Sequence, residues 1–261
     1  MQRNVFRGNR NRRAAPDASE KIAETVRMSR PEIEVSASPA AGQIKRIPWA
    51  RIIKLMNDSL CGKTIPSVSQ VAYENSDPFR VLVSTVISLR TKDEVTVKAS
   101  GRLLARGSTP EKLASLDEKE IETLIYPAGF YRTKAKNLKT IARILLESFG
   151  GRVPSIEEEL LALPGVGRKT ANLVRNLGFG IPAICVDTHV HRVSNRLGWV
   201  CTKEPNGTET ALMQILPKRF WIPINELLVR FGQNICTPTS PWCSRCPITR
   251  YCGRVGVSRS R

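Results

Sequence analysis

Helix-start signals recur at short intervals from Pro48 to Gln233, and no segment between them shows the period-two alternation that a half-buried strand requires. WARIIKLMNDSL follows Pro48. Asp77-Pro78 opens FRVLVSTVISL, and Lys92-Asp93 opens a helix ending near Gly107. Thr109-Pro110-Glu111 starts a short one. Asp117 with Glu120 forms a capping box ahead of IETLIYPAG. YRTKAKNLKTIARILLESFGG is a long amphipathic segment closed by two glycines. Ser155 opens IEEELLAL, Asp187 opens THVHRVSNRLG, Thr208 opens ETALMQIL and Pro223 opens INELLVRFGQ. Valine and isoleucine are common but sit at helical spacings, so the fold class is all-α, with roughly ten helices.

Charge narrows the partners. Lysine and arginine number 41 against 23 acids, a net charge of +18 in 261 residues. Such an excess implies an anionic partner, nucleic acid ahead of an anionic membrane surface. No run reaches the ~18–20 apolar residues of a membrane span. Residues 1–43 lack periodicity and begin MQRNVFRGNRNRRAAP, with five arginines before the first acid. No apolar core of a secretory signal follows. This segment reads as a basic tail adding non-specific DNA affinity, or as an organelle transit peptide in a eukaryote.

Three places carry chemistry. The first is LPGVGRKTANLVRN, Leu163 to Asn176. Pro164 ends one helix, Gly165 and Gly167 permit positive φ and close approach, and Val166 tucks inward. The next helix then presents unpaired N–H groups and its positive end, a seat for a phosphate. An ordinary space-saving connection is the plainer reading. Lys169 lies in the first turn, either as a charged phosphate contact or as a nucleophile. The second role needs a neutral amine, which the helix mouth and partial burial would favour.

The second is Asp187 in ICVDTHVHRVSNRLG, which reads first as a helix N-cap. A capping carboxylate is held rigidly and can also face a groove. His189 and His191 diverge by about 200° on a helix, so one metal cannot easily take both; they are structural or surface residues. The third is Cys-x6-Cys-x2-Cys-x5-Cys, from Cys236 through Cys243 and Cys246 to Cys252. Four thiols in this span suit tetrahedral zinc or an iron–sulfur cubane. A single close pair tilts the reading to iron–sulfur, and two disulfides are the remaining option.

Together, the hairpin with Lys169, VDTHVHR with Asp187, and the cysteine spacing resemble the endonuclease III family. DPFRVLVSTVISLRTKDEV and GFYRTKAKNLKTIARIL are similar to its other signatures, so the likeness spans about 44–252. The resemblance implies two helical domains flanking a DNA-binding cleft. A six-helix barrel with the helix-hairpin-helix would cover 71–181. An iron–sulfur domain would combine 44–70 with 182–252 and hold one structural [4Fe–4S] cluster on Cys236, Cys243, Cys246 and Cys252. Residues 253–261 would form a basic tail.

The resemblance also implies a bifunctional DNA glycosylase and AP lyase of base excision repair. It would act as a monomer on double-stranded DNA carrying oxidised pyrimidines or abasic sites. Lys169 would attack the deoxyribose C1′, and Asp187 would assist. Gly165, Val166, Gly167 and Arg168 would grip the backbone. Arg90 stands where a glutamine often fills the gap left by the flipped base. The loop 237–242, TPTSPW, lacks the basic residues expected there, which leaves Arg245 or the arginine-rich ends to substitute. A mismatch glycosylase without lyase chemistry and a non-catalytic DNA-binding module are the alternatives. The location would be the nucleoid in a prokaryote, or the nucleus or mitochondrion in a eukaryote.

Overall fold

The computed structural model describes residues 47–261; the basic N-terminal segment lies outside them. Twelve α-helices and three short 3-10 turns make up the described residues, with no strand among them. In order they are α1 (Trp49–Asp58), α2 (Ser67–Glu74), α3 (Pro78–Ser88), α4 (Asp93–Arg106), α5 (Pro110–Ser115), α6 (Glu118–Ile125), α7 (Tyr131–Phe149), α8 (Glu157–Leu161), α9 (Arg168–Phe179), α10 (Thr188–Leu197), α11 (Pro205–Ile215) and α12 (Trp221–Asn234).

Helix α3 sits at the centre of the first core. Its FRVLVSTVIS run is buried on nearly every side, the pattern of a helix surrounded by others. Its start is fixed as the sequence implies: the Asp77 carboxylate accepts from Phe79 N at 2.9 Å, with Pro78 in the first turn. Thr85 Oγ1 bonds back to Val81 O at 2.7 Å, so this buried hydroxyl is satisfied. Helices α2, α4, α7 and α9 pack around it, and α5 and α6 lie against α7. One hydrophobic cluster runs from Val68 to Val174 through these helices and ends on Cys185.

A second cluster joins α1 to α10, α11 and α12, with Trp49 and Trp199 edge to face at 4.7 Å. The extended connector between α9 and α10 belongs to both. Ile184 and Val186 enter the second cluster while Cys185 enters the first, the alternation expected of extended backbone.

Several helix boundaries differ from the sequence expectation. Helix α2 went unrecognised because its polar SVSQ start carries no side-chain cap. Asp117 stands at the N-cap of α6 but makes no capping bond, and Ile156 rather than Ser155 precedes α8. The helix before the hairpin ends at Leu161, two residues ahead of Leu163. Helices α11 and α12 begin at Pro205 and Trp221 instead of Thr208 and Pro223. Thr208 is instead fully buried, and its hydroxyl meets His191 Nδ1 at 2.6 Å.

Residues 253–261 are docked rather than trailing. Gly253 N donates to Leu197 O at 3.0 Å and Val255 N to Arg196 O at 3.0 Å. Arg261 N donates to Pro241 O at 2.8 Å, and its carbonyl accepts from Ser244 N at 2.9 Å. The chain end therefore closes over the cysteine-bearing loop.

Candidate functional site

The hairpin joins α8 to α9. Gly165 has φ +76°, the left-handed region, and a Cβ there would meet Asn137 Nδ2 at 2.5 Å. Gly167 adopts an ordinary φ of −100°, so positive φ is not its role. A Cβ on Gly167 would meet nothing within 4 Å, so the space before the helix mouth is open. Val166 is buried in the first core, and its N–H is closed onto Leu163 O at 3.1 Å. No side chain caps α9. Among the described residues its first N–H groups are thus left without partners at the positive end of the helix, as an anion requires.

Lys169 is exposed in that first turn, so of the two influences named from the sequence only the helix mouth is present. Arg168 beside it is tied within the protein, 3.6 Å from Glu157 and 3.4 Å from Glu209. Its guanidinium is therefore already engaged by two carboxylates. Burial holds the Glu209 carboxyl above its usual range, while Arg168 and Asn172 oppose that shift.

Asp187 is brought to the mouth of α9 by a set of pins that the sequence did not advertise. Asn176 Nδ2 donates to Ala183 O at 2.8 Å, and its Oδ1 accepts from Ala183 N at 2.9 Å. One turn nearer the mouth, Asn172 Nδ2 donates to Ile184 O at 3.1 Å. One turn further, the Cys185 thiol donates to Lys169 O at 3.4 Å. From α12, Asn225 Nδ2 donates to Cys185 O at 3.1 Å. The connector thus runs antiparallel to α9, from its middle to its N-terminus, and Asp187 follows two residues after Cys185. The signal was present as paired asparagines at i and i+4 on the buried face of KTANLVRN.

Cys185 is fully buried, and burial pushes its thiol up to about 12, with Lys169 opposing the shift and Asp187 and Glu209 reinforcing it. It stays a neutral donor. Asp187 caps α10 through Oδ1 alone, accepting from His189 N at 2.9 Å and Val190 N at 2.8 Å. Among the described residues no donor engages its second oxygen, so the carboxylate is anchored at one atom and available at the other. Lys169 and Asp187 form no ion pair within 4.0 Å among those residues. His189 and His191 meet different partners, Arg192 and Thr208, and do not converge.

Arg90 is exposed on the turn after α3 with φ +51°, and its guanidinium lies 5.8 Å from the centroid of the exposed Phe130 ring. Phe130 has φ +56° and was not singled out from the sequence.

The four cysteines Cys236, Cys243, Cys246 and Cys252 are free thiols lining one apolar recess with Leu197, Phe231 and Ile235. No disulfide links them. Arg196 holds this loop in shape: Nη1 donates to Thr237 O at 2.6 Å and to Cys236 Sγ at 3.7 Å, and Nη2 donates to Pro238 O. Burial pushes the Cys246 and Cys252 thiols up. The uncharged loop 237–242 is flanked by two arginines, since the Arg245 and Arg261 guanidinia lie 3.9 and 4.0 Å from the Trp242 ring centroid.

The family model described as HhH-GPD superfamily base excision DNA repair protein matches residues 83–218. Endonuclease III of Thermotoga maritima is 53% identical over 180 residues, covering 69% of this chain and 84% of that protein. The chloroplastic endonuclease III homolog 2 of Arabidopsis thaliana is 49% identical over 240 residues, 83% of this chain and 62% of that one. Among solved structures, a non-covalent endonuclease III–DNA complex superposes with a TM-score of 0.71 at 33% identity, covering 81% of this chain and 97% of that chain. A trapped endonuclease III–DNA covalent intermediate gives 0.70 at 32% identity with the same coverage. The glycine hairpin, the Lys169–Asp187 arrangement and the four-cysteine recess thus sit in a chain that belongs to the endonuclease III family of the HhH-GPD superfamily of base excision DNA repair proteins.

Proposed function

We propose that this protein is a bifunctional DNA glycosylase and AP lyase acting on double-stranded DNA with oxidised pyrimidines or abasic sites. The observation that carries it is the delivery of Asp187 to the mouth of α9, where Lys169 stands exposed before the open face of Gly167. The hairpin amides seat a backbone phosphate, and the net charge of +18 supplies the sequence-independent attraction. The damaged base leaves the stack for the groove between the two cores. We assign residues 71–181 to a barrel domain and 44–70 with 182–252 to a second domain; most of each hydrophobic cluster falls within one of them, while Val68 and Cys185 pack with the first core from outside 71–181 and the boundary at 70 falls inside α2.

The chemistry needs a neutral Lys169. Asp187, with one oxygen unengaged, accepts the lysine proton or steadies the cationic sugar. The Lys169 nitrogen bonds to C1′, the C1′–N bond to the base breaks, and the base departs with the bonding pair and takes a proton. Ring opening gives a protonated imine, which acidifies the C2′ hydrogen. Loss of that proton expels the 3′ oxygen as phosphate, nicking the strand, and water then frees the lysine. Arg90 enters the gap left by the base, where its donors suit an orphaned purine.

The recess suits a [4Fe–4S] cluster better than zinc. Tetrahedral zinc would draw four sulfurs to about 2.3 Å from one point. Zinc modules usually carry two close cysteine pairs, and here there is one, Cys243 with Cys246. A cubane instead gives each cysteine its own iron. Thiols held neutral by burial become thiolates beside such a cationic centre. Its place is structural: it fixes the loop after α12 and stiffens the second core. No helix among the described residues is long and apolar enough to cross a membrane.

Duplexes with a single oxidised pyrimidine test the reading when base release and strand scission are scored separately. Both events at matched rates support it. Base release without scission indicates a monofunctional glycosylase, and binding alone indicates a non-catalytic module.

A further inference from the structure

Lys134, in the first turn of α7, is 5% exposed, yet no ion pair among the described residues includes it. Its ammonium is held by three neutral oxygens: Ile87 O at 2.6 Å, Leu89 O at 2.5 Å and Thr91 Oγ1 at 2.8 Å. A buried cation without a counter-ion is costly, and a methionine could fill the same volume without that cost. The carbonyls at the end of α3 offset part of it, since a cation is favoured at a helix C-terminus. Burial lowers the amine to about 8, so it carries its proton at neutral pH.

All three acceptors bracket Arg90. Leu89 and Thr91 are its chain neighbours, and Ile87 closes the preceding turn. Arg90 itself is left-handed at φ +51°, a conformation a non-glycine side chain keeps only when its surroundings impose it. The turn is fixed from the other side as well. Gly129 N donates to Thr91 Oγ1 at 3.1 Å, and a Cβ on Gly129 would lie 2.3 Å from Arg90 O. The Arg90 side chain is left in solvent, with the Phe130 ring as its neighbour.

We infer that Lys134 is a positioning residue: its ammonium, with Thr91 and Gly129, locks the strained turn that presents Arg90 to the strand opposite the lesion. This rests on the reading of Arg90 given above. Lys134 contacts no substrate, and it acts by keeping Arg90 in one pose before DNA arrives, which spares the ordering cost at binding. Its removal leaves Arg90 free to relax to an ordinary φ and swing away from the gap.

The test is a mutant cycle of Lys134→Met, Arg90→Ala and the double variant, with Thr91→Val as a milder lesion of the same lock. Each is assayed on one oxidised pyrimidine placed opposite guanine and opposite adenine. The readout is the ratio of kcat/KM for the two pairings, which does not depend on the folded fraction. Misplacement of a positioned group costs about tenfold or more. Lys134→Met is expected to lower kcat/KM by that order and to shift the ratio in the direction Arg90→Ala does, with the double variant no worse than Arg90→Ala alone. Thr91→Val gives the same shift, smaller, and carries the test if Lys134→Met does not fold. A changed ratio in Arg90→Ala with an unchanged ratio in the lock variants overturns the inference while leaving the reading of Arg90 intact. Multiplicative losses in the double variant overturn it as well. An unchanged ratio in Arg90→Ala removes the reading, and the inference with it.

Discussion

Asn176→Ala removes the pin that starts the connector toward Asp187. Asn176 is 3% exposed and Ala183 is 4% exposed, so neither the Ala183 N–H nor its C=O can turn to water when the amide is lost. Each stranded backbone group costs about 1–3 kcal/mol, so the pair costs about 4 kcal/mol at mid-range. For a chain of this size one kcal/mol shifts Tm by about 2–4 °C, which gives a fall of about 12 °C. The same change releases the connector two residues upstream of Cys185, which loosens the register of Asp187 against Lys169 while the pins from Asn172, Cys185 and Asn225 remain. Thermal unfolding by circular dichroism reads the first effect. Single-turnover cleavage of abasic DNA, well below the variant's Tm, reads the second. Both are expected to fall, with cleavage reduced even where the protein is fully folded. A variant that melts within about 3 °C of the parent and cleaves at the parent rate would refute the pinning argument, because ~1 kcal/mol is only the low end for one stranded group and well below the cost of two.

Other consequences are as direct. Asp187→Asn keeps an oxygen for the His189 and Val190 amides, and asparagine caps helices as well as aspartate, so Tm should change little while base removal slows at least tenfold; a rate loss that merely tracks unfolding would leave Asp187 as a cap alone. Burial holds His189 below its usual 6.5, with Asp187 opposing and Arg192 and Lys169 reinforcing, and its Nδ1 lies 3.2 Å from an Arg192 donor. The unfolded chain binds a proton near pH 6.5 that the folded one refuses, so this stability is present above pH 6.5 and lost as the pH falls toward the folded value. Denaturation midpoints should decline over that window, and His189→Gln should flatten the slope. For the cysteine recess, about four irons per chain are expected in the purified protein, and Cys246→Ser should lower that number together with Tm; stoichiometric zinc would contradict the cluster.

Local chemistry was legible in the sequence where one short segment carries its own cause. Asp77-Pro78 and Asp187 cap the helices they precede because the capping bond spans only two or three residues. The hairpin could be read because Pro164, Gly165 and the apolar face of α9 are consecutive. Ser155 misled, since the helix starts after Ile156, and Asp117 marks the start of α6 as expected but forms no capping bond. Thr208, expected at a helix start, is drawn into the interior by His191, a partner 17 residues away. The parts of the site that sequence reading missed depend on distant partners. Asn172 and Asn176 acquire their role only when the connector folds back, and Lys134 only when α7 meets the end of α3, 43 to 47 residues earlier. The two carboxylates beside Arg168, Glu157 and Glu209, lie 11 and 41 residues away and so were not paired with it from the sequence.

The central claim is covalent. Borohydride added during incubation with abasic duplex reduces an imine to a stable amine, joining protein to DNA. The parent protein should give that adduct, mapped to Lys169, and Lys169→Gln should bind the same duplex yet give none. An undiminished adduct, or undiminished strand cleavage, in Lys169→Gln would contradict the account.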